Sequence, residues 1–257
     1  MAVAAEPDAR QTPTVRVRVW DAPLRIFHGL LLAAVATAIA TGLAGGDWMT
    51  WHARAGLAIV GLLAFRLAWG LVGSPTSRFS HFLPTPARVK AYLQGRWHGI
   101  GHNPLGALSV IALLTLLGAQ VGTGLFSNDD IAFSGPLAPL LSEEQVSAWT
   151  GWHRWLINGL YGLIGLHLAA IAFHAIVKRD PLVPPMVTGW KRLPPEQAAQ
   201  APDLSGGTRW RRTLAGVLAL ALAAAAVWWA SGAWIASPPP AAPATGTQAP
   251  AAPTPTW

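Results

Sequence analysis

A chain of 257 residues that is 52% hydrophobic and only 11% charged departs far from a soluble domain, in which roughly 25% of residues carry charge. The net charge of +7 is spread over several loops rather than gathered into one patch, which argues against a nucleic-acid partner. Cysteine is absent; this excludes iron–sulfur clusters, disulfides and thioether-linked haem, and leaves histidine, methionine or carboxylate for any metal centre.

The opening MAVAAEPDARQTPTVRVRVW lacks the apolar stretch of a cleaved signal peptide, so the first hydrophobic run is read as a spanning helix. A span needs about 20 residues to cross ~30 Å of hydrocarbon, and five such runs follow. The first covers about residues 22–43, with Asp21 placed to cap it and Pro23 in its first turn. The second covers about 51–71, and the third follows Asn103-Pro104 and ends near Phe126. The fourth covers about 149–177, preceded by a turn capped by Ser142 with Gln145 in the capping-box position. The fifth covers about 212–234.

These runs predict an all-α, polytopic membrane helix bundle embedded in lipid: a four-helix core plus a fifth C-terminal transmembrane helix. The expected division is an N-terminal segment 1–19, a transmembrane core 20–190, a linker 191–210, the fifth helix 211–236 and a disordered Pro/Ala-rich tail 237–257.

Bases gather on alternate loops. Arg10, Arg16, Arg18 and Arg25 precede or open the first span, Arg78, Arg88, Lys90 and Arg96 follow the second, and Lys178, Arg179, Lys191, Arg192, Arg209, Arg211 and Arg212 follow the fourth. The longest opposite loop is acidic, with Asp129, Asp130, Glu143 and Glu144. The positive-inside rule then predicts a membrane protein with a cytoplasmic N-terminus, spans one, three and five running outward, and a C-terminus on the opposite side.

An imidazole within hydrocarbon is expensive enough to be read as functional. Four histidines lie at useful depths. His28 is about six residues into the first span, and His52 and His153 each open a span running the other way, directly after a tryptophan. His167 follows His153 by 14 residues, roughly 21 Å along one helix and within about 40° of the same face. Depth therefore pairs His52 with His153 at one level and His28 with His167 at the other, an arrangement suited to two bis-histidine haems. His81, His98 and His102 are read as solvated loop residues, with His102 a secondary candidate for a haem or quinone contact. His174 is read as interfacial, with substitute ligation as its alternative.

Arg66 follows His52 by 14 residues. It reaches the lower level, where a haem propionate or snorkelling to the membrane face would satisfy its charge. Arg54 and Arg154, beside the upper histidines, are candidates for the upper propionates. Gly56, Gly61, Gly162 and Gly165 are read as permitting close approach of helices or a macrocycle.

The combined motifs ValTrpAspAlaProLeuArgIlePheHis (19–28), TrpHisAlaArgAlaGly (51–56), PheArgLeuAlaTrpGly (65–70), GlyHisAsnProLeuGlyAla (101–107), TrpHis (152–153) and IleGlyLeuHis (164–167) resemble the bacterial cytochrome b561 family, closest to the b-type cytochrome subunits of nickel–iron hydrogenases. The resemblance covers about residues 15–192. It implies two non-covalent haems b held by His28, His52, His153 and His167, and electron exchange between membrane quinone and a partner, either a periplasmic c-type cytochrome or a dehydrogenase or hydrogenase subunit. It leaves open a superoxide:quinone oxidoreductase, and, from another class, a transporter or scaffold with incidental histidines. PheHisGly stands where the family more often has PheHisTrp.

Overall fold

The computed structural model describes residues 13–204 and 208–235; Arg10 and the expected tail 237–257 lie outside the described residues. In chain order it contains β1 (Val15–Arg18), α1 (Ala22–Ala44), α2 (Met49–Val72), α3 (Phe79–Phe82), α4 (Pro86–Leu93), α5 (Pro104–Gly124), α6 (Glu143–Ile176), α7 (Val183–Thr188), β2 (Trp190–Leu193), α8 (Pro195–Ala198) and α9 (Arg209–Ala230). Among the described residues, five helical segments are long and apolar enough to cross a membrane, the last of them α9.

The caps foreseen at Asp21 and Ser142 are in place, and Asn103 supplies a further one. Asp21 Oδ1 accepts from Leu24 N at 2.8 Å, and Asn103 Oδ1 accepts from Gly106 N at 2.7 Å. Ser142 and Gln145 form a reciprocal capping box. That box does not close a separate turn, as the sequence suggested: it begins α6 itself, which then runs unbroken for 34 residues.

Large apolar side chains point outward. Leu30, Leu32, Leu43, Leu166, Leu168 and Phe173 are all exposed, which suits helices surrounded by hydrocarbon rather than water. Inside, α1 packs on α2, α2 on α5 and α5 on α6. α9 lies against α2, where a Cβ at Gly61 would come within 2.8 Å of Val227 Cγ2. Gly61 therefore seats the fifth helix and does not face the proposed ligands.

We call the end carrying the N-terminal strand the basic end and the other the acidic end. At the basic end β1 pairs antiparallel with β2, in register from Val15↔Leu193 to Arg18↔Trp190. This two-stranded sheet was not indicated by the sequence pattern. Val19 N and Trp20 N continue the tie by donating to Gly189 O.

Just after this strand, the buried Asp21 carboxylate joins three elements. Besides capping α1, its Oδ2 accepts from Trp69 Nε1 on α2 and from Ser77 Oγ in the turn beyond, each at 3.0 Å. Thr76 Oγ1 donates to Val19 O at 2.7 Å, and Arg66 Nη1 donates to Ser77 O at 3.2 Å. The Arg66 guanidinium stacks 4.5 Å from the Phe79 ring. That ring lies so close to Gly70 that a Cβ there would overlap it, at 2.0 Å from Phe79 Cε2.

Loss of a cap costs ~0.5–2 kcal/mol, and stranding buried donors adds about 1–3 kcal/mol for each. Asp21→Ala is expected to lower the thermal unfolding midpoint of detergent-solubilised protein markedly, and Asp21→Asn, which retains the cap, by less. Thermal melting followed by tryptophan fluorescence checks this ordering.

Candidate functional site

At the acidic end the first histidines of α2 and α6 meet. The His52 and His153 ring centroids are 6.0 Å apart with ring planes at 89°. Both Nδ1 atoms are held by main-chain carbonyls of the neighbouring helix: His52 Nδ1 is 2.8 Å from Ala38 O on α1, and His153 Nδ1 is 2.9 Å from Gln120 O on α5. A carbonyl can only accept, so each Nδ1 carries the proton and each Nε2 keeps its lone pair, the state a metal ligand requires.

The two carbonyls occur in the same local setting. Ala38 and Gln120 are each followed by Thr-Gly-Leu, at Thr41-Gly42-Leu43 and Thr123-Gly124-Leu125. The glycines lie where the imidazoles pass. A Cβ at Gly42 would sit 2.9 Å from His52 Nδ1, and one at Gly124 would sit 2.8 Å from His153 Cε1. The threonines bond back within their own helices, Thr41 Oγ1 to Thr37 O and Thr123 Oγ1 to Ala119 O and Gln120 O. This repeated Thr-Gly-Leu was visible in the sequence, but its relation to the histidines depends on which helices pack together.

A cleft of about 90 Å³, partly open to the exterior, adjoins the pair and is lined by both histidines with Gly56, Gln120, Gly124 and Ile157 among others. Gln120 is buried; its amide nitrogen donates to His153 O at 3.2 Å, and its Oε1 has no hydrogen-bond partner among the described residues. The described residues contain no cluster of three or more histidine and carboxylate groups able to hold a metal alone. A pair of oriented imidazoles supplies two axial ligands, which fits an iron whose remaining ligands come from a macrocycle. The residues present fit haem.

The second pair lies toward the basic end. His28 on α1 and His167 on α6 are both half-buried and lie within electrostatic range of each other. Their helices pack chiefly on other partners, α1 on α2 and α6 on α5. Ser109 Oγ on α5 lies 3.5 Å from His167 Nδ1. Between the two levels stands an apolar cluster of Ile59, Leu63, Leu117 and Leu160. Leu160 is seven residues from both His153 and His167.

Arg66 is 2% exposed, so it does not snorkel freely, and its Nη2 lacks a hydrogen-bond partner among the described residues. Arg54 and Arg154 are surface residues: Arg54 stacks 4.9 Å from the Trp51 ring, and Arg154 pairs with Asp130 at 3.6 Å. Neither lines the cleft. His81 and His98 are exposed. His102 differs from its expected solvation: its ring packs 4.6 Å from Trp20 and 4.5 Å from Phe82, and its Nδ1 is sealed from solvent without a partner. Burial, reinforced by the Arg66 cation, drives its pKa down to about 3, so the ring is neutral at physiological pH. His174 meets Tyr92 Oη and Asn103 Nδ2 through Nε2, an interfacial setting rather than a ligand's.

The family model described as prokaryotic cytochrome b561 matches residues 19–189. The chain is 25% identical over 215 residues to a protein of Escherichia coli (strain K12) named probable Ni/Fe-hydrogenase 1 B-type cytochrome subunit, covering 67% of this chain and 89% of that one. It is 27% identical over 219 residues to the probable Ni/Fe-hydrogenase B-type cytochrome subunit of Azotobacter chroococcum mcd 1, covering 68% and 88%. No solved structure matches.

Substituting Gly124→Val or Gly42→Val is expected to displace one imidazole and abolish haem binding at the acidic end while sparing the other level. Gly122→Val, where a Cβ meets open space, is the control. Haem content per protein, measured by pyridine haemochrome, checks the contrast.

Proposed function

The chain belongs to the prokaryotic cytochrome b561 family, and from that premise we propose that this membrane b-type cytochrome carries electrons between two haems b. One is bound by His52 and His153 near the acidic end and the other by His28 and His167 toward the basic end. The observation that carries the reading is the His52–His153 pair, 6.0 Å between ring centroids with both Nδ1 atoms engaged by carbonyls. Bound haem supplies a one-electron ferric/ferrous couple.

The chain's own residues perform the rest. The carbonyls of Ala38 and Gln120 hold the rings in one tautomer and one orientation, which also strengthens imidazole as a ligand. Gly42 and Gly124 leave the space the rings occupy. Ile59, Leu63, Leu117 and Leu160 exclude water between the levels, so charge moving there meets a low-dielectric interior. Held by two histidines each, the haems would carry single electrons rather than bind oxygen.

The distribution of bases supports a cytoplasmic basic end and a periplasmic acidic end. Quinone is the proposed lipid-soluble redox partner, and a hydrogenase or a periplasmic cytochrome the protein partner. The names of the relatives support the first of these proteins. Asp47, Asp129, Asp130, Glu143 and Glu144 at the acidic end offer a surface complementary to a basic partner.

Purified protein is expected to show the sharp reduced bands of low-spin haem b, with two haems per chain. Replacing His28 or His167 by alanine should remove one haem, and replacing His52 or His153 the other. Absence of haem, or loss of both from every single variant in a still-folded protein, would overturn the two-site reading.

A further inference from the structure

Polar atoms sealed from solvent without partners are unusual, and two of them share one neighbourhood at the basic end. Arg66 Nη2 and His102 Nδ1 are both buried and unpartnered among the described residues. Phe82 links them, with its ring 5.9 Å from the Arg66 guanidinium and 4.5 Å from the His102 imidazole. His102 lies within electrostatic range of Arg66, His28 and His167. The pair therefore stands beside the basic-end histidines, with Arg66 near the end of α2 and His102 just ahead of α5.

The nearby acceptors are already committed. Asp21 receives Leu24 N, Trp69 Nε1 and Ser77 Oγ, and Ser77 O receives Arg66 Nη1. A guanidinium so buried costs several kcal/mol unless an anion approaches it; Asp21 lies within electrostatic range, but no residue forms an ion pair with Arg66 among those described. His102 is held rather than mobile. Trp20 and Phe82 confine its ring, and the next residue, Asn103, is fixed as the cap of α5. One N–H of a permanent cation and the Nδ1 of an imidazole, both fixed and both unanswered, suit a carboxylate when the neutral ring carries its proton on Nδ1.

We propose that Arg66 and His102 together bind a carboxylate, and that this carboxylate is a propionate of the haem held by His28 and His167. This rests on the two-haem reading above and adds to it a residue, His102, from a loop outside the spanning helices. The cation offsets the negative charge of the propionate beside the iron. Without it the ferric form is favoured and the midpoint potential of that haem falls.

The test is an optical redox titration of the purified full chain, comparing wild type with His102→Leu and Arg66→Gln. His28→Ala identifies which titrating component belongs to the basic end. His102→Leu is read first because it leaves Arg66 and the Asp21 network in place. Each variant is expected to keep both haems and to shift that one component downward by about tenfold in its reduction equilibrium, ~59 mV for a one-electron couple. His102→Gln, which retains an N–H, should restore most of the loss. A His102→Leu protein that titrates as wild type, or in which only the His52–His153 component moves, overturns the carboxylate site while leaving two haems intact. A shift seen only when quinone is present, and lost in quinone-free preparations, assigns the donors to a quinone oxygen and also overturns it. Failure of the underlying reading looks different: wild-type protein would show no second component, or His28→Ala would remove neither.

Discussion

An imidazole carried into hydrocarbon must satisfy its N–H, and a helix ordinarily has no acceptor to spare because its carbonyls are committed to its own ladder. At the acidic end this constraint is met the same way twice. A carbonyl oxygen has two lone pairs, and at Ala38 and Gln120 one of them is turned to a histidine on the neighbouring helix. The imidazole can reach it only because the residue one turn further along the helix is glycine, Gly42 in one case and Gly124 in the other. Orientation and tautomer both follow from that contact. The two halves of the site are thus built alike, one from α1 and α2 and the other from α5 and α6.

The unbroken length of α6 gives the site its vertical extent. Its 34 residues carry His153 and His167 on one rod, separated by roughly 21 Å at 1.5 Å per residue, with Leu160 between them. The basic end is organised on a different principle. There a buried carboxylate, Asp21, gathers the first helix, the second and the turn between α2 and α3, and leaves a buried guanidinium beside it only partly answered. Rigid packing at that end fixes where His28 stands relative to α2.

Much of this was legible in the sequence because it depends on local chemistry. The five spans, the caps at Asp21 and Ser142, and the depth of each histidine follow from hydropathy, from side-chain oxygens placed before helical runs and from rise per residue. What was hidden depends on partners distant in sequence. Four-residue strands at Val15–Arg18 and Trp190–Leu193 have too short an alternation to announce a sheet. His102 sits in a polar stretch that reads as solvated, yet Trp20 and Phe82 close over it. Gly61 resembles the glycines near the ligands until α9 is seen to press Val227 against it. Arg54 and Arg154 adjoin histidines in sequence but turn outward to Trp51 and Asp130.

The central claim is that two imidazoles, from helices α2 and α6 that run in the same direction, grip the same iron. Electron paramagnetic resonance of the oxidised His28→Ala protein, which isolates the acidic-end site, addresses it most directly. Two axial imidazoles with nearly perpendicular planes, as His52 and His153 stand at 89°, give a low-spin ferric signal of strong anisotropy. A high-spin ferric signal would mean an open axial position and would contradict the account.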